Sequence, residues 1–82
     1  MATITKTMQQ DAIDAARQKI QMIRKAGTKA GADRALGGAN ALANYAQVWS
    51  IITSSEAESI RNMAALAHKT WCAAQRAKGG AL

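Results

Sequence analysis

The sequence predicts an all-α protein, a three-helix antiparallel bundle assembled as an oligomer. Three observations lead there. Proline is absent, and hydrophobic residues make up 49% of the 82-residue chain. Half of that fraction is alanine, which loses no side-chain entropy on entering a helix. Apolar residues also recur at helical spacing along three stretches, about 7–26, 32–53 and 56–78, separated by glycine or by hydroxyl residues able to cap a helix.

The first stretch opens at Thr7, with Gln10 three residues on as a capping box. Met8, Ala12, Ile13, Ala16, Ile20 and Ile23 form its apolar stripe. Asp11 and Asp14 sit near the start, and Lys19, Arg24 and Lys25 toward the end, as the helix dipole favours. Gly27 is the expected stop.

The second stretch is expected to begin near Ala32, after a loop or turn over Thr28–Gly31, and to run to Thr53. Gly37 and Gly38 are where it breaks, kinks or packs closely. One stripe is Ala35, Ala39, Leu42, Ala46 and Trp49, with Tyr45, Val48 and Ile52 beside it. A helix apolar on most sides is normally buried.

The third stretch has Ser55 and Glu58 as its capping box. Its buried stripe is Ala57, Ile60, Met63, Ala64, Ala67, Trp71 and Ala74, with Arg76 and Lys78 in the last turn and Gly79-Gly80 as the stop. Short connections predict antiparallel neighbours. The whole reads as a single helical domain, 1–82, with 1–6 and 79–82 as flexible ends.

A chain of this length has a marginal core. Its lone cysteine, Cys72, excludes an internal disulfide, and alanine buries little area. The large candidates for the core are Ile13, Ile20, Ile23, Leu36, Leu42, Val48, Trp49, Ile51, Ile52, Ile60, Leu66 and Trp71. Two flanking helices cannot cover an uncharged middle helix of this kind. The expected remainder is an interface with a second copy, made of Leu42, Tyr45, Val48, Trp49 and Ile52. Tyr and Trp are the usual anchors of such surfaces.

Lys plus Arg number 11 and Asp plus Glu 5, a net charge of +6, which favours an anionic partner. Arg17, Lys19, Arg24, Lys25, Lys29 and Arg34 are interrupted only by Asp33 between residues 17 and 34. They are the candidate surface for an acidic protein face or a nucleic acid. Aromatic stacking platforms are missing beside them, which weakens a single-strand reading. A helix-turn-helix is disfavoured because Asp33 and Arg34, four residues before Gly37 and Gly38, pack poorly at that position.

His68 and Cys72, four apart, share a helix face. Two such pairs across a dimer could hold zinc, but two ligands per chain are a weak signal, and the plainer reading is a small buried thiol and an edge imidazole. A Cys–His nucleophile would need an orienting group and oxyanion donors that nothing in the sequence suggests. No phosphate loop fits, and the carboxylates sit mostly where helix starts want them. No catalytic residue, cofactor or metal is therefore expected. No stretch is apolar enough for a membrane span, and the absence of an export signal, with a free thiol, points to the cytoplasm. The first helix could lie on a membrane surface, although its stripe lacks Trp, Phe and Leu.

The function expected is that of a non-enzymatic, self-associating binding protein. It would act as an inhibitor or adaptor on a larger complex, the kind of work done by phage or mobile-element proteins that block host defence. The alternatives are a structural subunit of a helical ring or filament, and a nucleic-acid-binding protein.

Overall fold

The computed structural model describes residues 6–79. Three helices follow in order: α1 (Lys6–Arg24), α2 (Lys29–Val48) and α3 (Ser54–Ala77). The described residues contain no strand. Links of a few residues turn the chain back twice, so α2 runs against α1 and α3, and α1 and α3 run parallel. The rod they form measures 54 × 18 × 15 Å along its principal axes. The three-helix bundle is as the sequence predicts, whereas several boundaries differ.

Thr7 lies inside α1, which begins at Lys6, so the expected Thr7–Gln10 cap is not what starts the helix. Of the ends read as flexible, 1–5 and 80–82 fall outside the described residues. Lys6 belongs to α1, and Gly79 closes α3.

α2 begins three residues earlier than expected. Thr28 is its N-cap, in an extended conformation (φ −139°, ψ 159°), and its Oγ1 accepts from the Gly31 amide at 3.0 Å. The hydroxyl satisfies one of the four free amides of a helix start, which converts the expected loop at 28–31 into the first helical turn. Gly37 and Gly38 do not break the helix. A side chain at Gly37 would meet nothing within 4 Å, while one at Gly38 would meet the Lys19 stem at 3.4 Å.

α2 also ends sooner, at Val48 rather than Thr53. The Ser50 amide donates to Gln47 O at 3.0 Å and the Ile51 amide to Ala46 O at 2.8 Å, with Ser50 at φ 58°. That pair of bonds is a Schellman stop, with serine in the left-handed conformation that normally selects glycine. The stop turns Ile51 and Ile52 back into the core.

The cap of α3 is Thr53 with Glu56, not Ser55 with Glu58. The Glu56 amide donates to Thr53 Oγ1 at 3.1 Å, and the Thr53 amide to Glu56 Oε1 at 2.8 Å. Both pairs have the S/T-x-x-E spacing. The early end of α2 selects the first. At the other end Gly79 takes φ 73° and its amide donates to Arg76 O, the stop that the sequence predicts.

The core is one row of buried alanines on α2, namely Ala32, Ala35, Ala39, Ala43 and Ala46, against the larger residues of its neighbours. Around the C-terminal half of α2, Ala16 joins Ile52, Ala57 and Ile60, with Ile13 and Ile51 partly buried. Around its N-terminal half, Ile20 and Ile23 join Ala64 and Ala67, with Leu36 alongside. Methyl side chains let the helices approach closely, so contact area is gained from the backbone cylinders as well as the side chains.

Trp71 is buried, and its indole Nε1 donates to Ala26 O at 2.8 Å. It thereby satisfies a carbonyl at the end of α1. Three residues expected in the core lie outside it: Val48 is 78% exposed, Leu66 64% and Trp49 62%. In the expected stripes, Met8 (41%) and Met63 (42%) are exposed too, as is Ala74. The row of small residues on α2 leaves room for only the nearest side chains of its neighbours.

Candidate binding surface

The parallel course of α1 and α3 sets the electrostatics. Their N-terminal turns lie at the same end of the rod as the C-terminus of α2, and that half of the sequence sets Asp11, Asp14, Glu56 and Glu58 against Lys6, Arg17 and Arg61. The other half, around Ile20, Ile23 and Ala67, carries Lys19, Arg24, Lys25, Lys29, Arg34, Lys69, Arg76 and Lys78 against, among the described residues, the single side-chain carboxylate of Asp33. The net charge is therefore a strongly cationic half joined to a weakly anionic one. Charges at the two ends are several screening lengths apart at physiological salt, where that length is about 8 Å, so each half presents its own field.

The six cations expected to form one surface do not all meet. Arg17 and Arg24, with Gln21, Ile20 and Met63, line one cleft between α1 and α3. Arg24 and Lys25 frame the next cleft with Lys78, over Ala67 and Trp71. Lys19 instead lays its stem across Gly38 on α2, an amphipathic packing common for lysine. Lys29 is tied to Asp33 at 2.8 Å, and Arg34 is exposed on α2. Arg17 comes within 3.8 Å of Asp14, both well exposed. Among the described residues Arg24, Lys25, Arg34, Lys69, Arg76 and Lys78 form no ion pair. Lys69, Arg76 and Lys78 were missing from the expected surface. The signal was present in the sequence, because basic last turns on two parallel helices must share one end.

Asp33 is the anionic exception and has two partners. Its Oδ2 accepts from Lys29 Nζ at 2.8 Å, and its Oδ1 lies 2.6 Å from His68 Nε2. The hydrogen bonds from Lys29 and His68 hold its carboxyl below the ordinary aspartate range, and the same Lys29–Asp33 bond raises the Lys29 amine. His68 Nδ1 in turn faces Cys72 Sγ at 3.9 Å, and Cys72 is half-buried rather than fully enclosed. Asp33 thus supplies the orienting third group that the sequence did not suggest for a Cys–His pair.

Cys72 sits in mid-helix, where the neighbouring amides are spent on i−4 carbonyls. No group of three His, Cys, Asp or Glu side chains among the described residues is arranged to hold a metal ion.

The residues expected at an interface between copies divide. Tyr45, Val48 and Trp49 are exposed at 62%, 78% and 62%, with the two rings 6.1 Å apart. They form an apolar cap at the anionic end. Ile52 is 4% exposed and belongs to the core, because the Schellman stop folds it inward, and Leu42 is half-buried. No helix among the described residues is long and apolar enough to cross a membrane.

No protein-family model, curated protein or solved structure matches the chain.

Proposed function

We propose that this chain is a non-enzymatic binding protein whose cationic half docks on an acidic partner, acting as an adaptor or an occluding inhibitor of a larger complex. The observation that carries the reading is the segregation of charge. Cations from three helices converge on one half, where Asp33 pairs only with Lys29 and His68. Cations scattered for solubility need not segregate in this way. A concentrated, unpaired set raises the local concentration of an anionic partner and steers its approach. Inhibition here means covering a surface, since no reacting group is required.

Self-association through Tyr45, Val48 and Trp49 is the second part of the proposal. Those residues leave the cationic half free, so a dimer made there would present two cationic ends.

The test is affinity for an acidic polypeptide, poly-glutamate, and for a DNA duplex, each measured at two salt concentrations. Tighter binding to the polypeptide supports the acidic-protein reading. Tighter binding to the duplex makes the protein a nucleic-acid binder, and no binding to either removes the proposal.

A second reading, a subunit of a ring or filament, is favoured by the same polarity, because opposite charges at the two ends of a rod attract head to tail. Such heterologous contacts close into rings or grow without limit. Solution mass rising continuously with concentration supports this reading, and a discrete dimer opposes it.

A further inference from the structure

We propose that the groove between α1 and α3 seats an acidic amphipathic helix of the partner, antiparallel to both, completing a four-helix bundle. The inference rests on the acidic-partner reading above and names the chemistry of that partner. α1 and α3 pack against each other less closely than either packs on α2, and three clefts of about 190, 280 and 240 Å³ follow one another along their seam. The first two share Arg17, Ile20 and Met63, and the last two share Arg24, so they form one furrow.

Its floor is apolar: Ile13, Ile20, Ile60 and Met63, the last 42% exposed. Its rim is cationic over most of its length, with Arg17 and Arg24 along α1, and Lys25 and Lys78 where the helices end, while Glu56 lines the first cleft and makes that cleft the least favourable for a carboxylate. An apolar floor between basic rims matches a helix with one apolar stripe flanked by carboxylates. A nucleic acid fits less well, because Trp71 is buried with its indole bonded to Ala26 O and offers no stacking face.

Direction follows from dipoles. Both walls present their C-termini at the cationic end. A helix laid antiparallel brings its own N-terminus there, where carboxylates are favoured in the first turns, and it alternates with its neighbours as helices of an up-down bundle do.

The test uses the full chain and three synthetic peptides of about 18 residues, a length of about 27 Å as helix. The first has a Leu/Ala stripe with glutamates in its N-terminal half. The second has the same stripe with glutamates in its C-terminal half, and the third is a scramble of the first. The expected order of affinity is first, second, scramble, with amide shifts confined to α1 and α3. Met63→Lys adds a cation but removes floor area. The groove requires it to weaken the first peptide, about fivefold for a lost methionine contact, whereas attraction by charge alone requires it to tighten binding.

Equal affinity for peptide and scramble, or tightening by Met63→Lys, overturns the groove and leaves the broader acidic-partner reading standing. Binding of none of the peptides, with the Met63→Lys melt unchanged, overturns the groove and counts against acidic protein partners altogether. Amide shifts on α2 instead place the site elsewhere and overturn it as well.

Discussion

The indole Nε1 of Trp71 donates to the Ala26 carbonyl at 2.8 Å, joining α3 to the link that ends α1. The bond lies 45 residues apart in sequence and holds the two basic helix ends side by side. Trp71→Phe keeps most of the buried ring and leaves the carbonyl without its donor. It is expected to cost about 1 kcal/mol, a fall in Tm of about 4–8 °C for a domain of this size. Trp71→Ala is expected to cost about 3–5 kcal/mol, enough to unfold a marginal bundle. Thermal melts followed by circular dichroism measure both, and an unchanged melt for Trp71→Phe would show the bond to be energetically silent.

Ser50 tests the account of where α2 stops. A serine at φ 58° is held there by the Schellman bonds, and left-handed backbone costs a non-glycine residue about 1 kcal/mol. Ser50→Gly is expected to stabilise the fold by up to that amount, raising the denaturant midpoint. Gly79→Ala, at φ 73°, is expected to move it the other way. A destabilised Ser50→Gly contradicts the assigned stop.

Gly37 separates propensity from packing. It is mid-helix, and an added methyl meets nothing within 4 Å. Gly37→Ala is expected to stabilise by about 0.5–1 kcal/mol, read as a higher urea midpoint. If the glycine serves as a break, the same change destabilises.

The Asp33 carboxyl is held below the ordinary aspartate range by Lys29 and His68. A depressed carboxylate contributes stability above its unfolded value, about 3.9, and loses it as pH falls through the folded value. The stability gap between the native chain and Asp33→Asn is therefore expected to close in acid, below about pH 4. Urea midpoints of the two proteins against pH measure this. Because the carboxyl is exposed the gap is expected to be small, but its sign is fixed, and a gap that widens in acid contradicts the pairing.

Much of the fold was legible because helix periodicity, alanine content and short links are local properties. The alanine and isoleucine positions of the three stripes other than Ala74, the Gly79 stop and the burial of Trp71 follow from them. The C-terminal boundary of α2 was not legible, because two hydroxyl–glutamate pairs of equal spacing competed at the start of α3. The choice was made by a serine in a conformation that its side chain does not advertise. Ile52 went to the core for the same reason, while Tyr45, Val48 and Trp49 lie exposed. At the candidate site Arg17, Arg24 and Lys25 were readable from α1 alone. Lys78 entered through the parallel arrangement of two helices, and the Asp33–His68 contact spans 35 residues with no local signal. Covering Trp49 with a second copy has its own check. Trp49→Ala, at a site exposed within one copy, is expected to lower solution mass to that of a monomer. An unaltered oligomer contradicts that interface.

The cationic half is tested most directly by two charge-matched double variants. Arg24→Gln with Lys25→Gln removes two charges from that half, and Ser55→Glu with Asn62→Glu lowers the net charge equally from the anionic half. Affinity for poly-glutamate is measured across salt concentrations. The first pair is expected to weaken binding about tenfold or more and to flatten the dependence on log salt by about two ion equivalents, with the second pair within about twofold of the native chain. Equal losses from the two pairs would mean that only net charge is felt, and that the protein has no dedicated binding end.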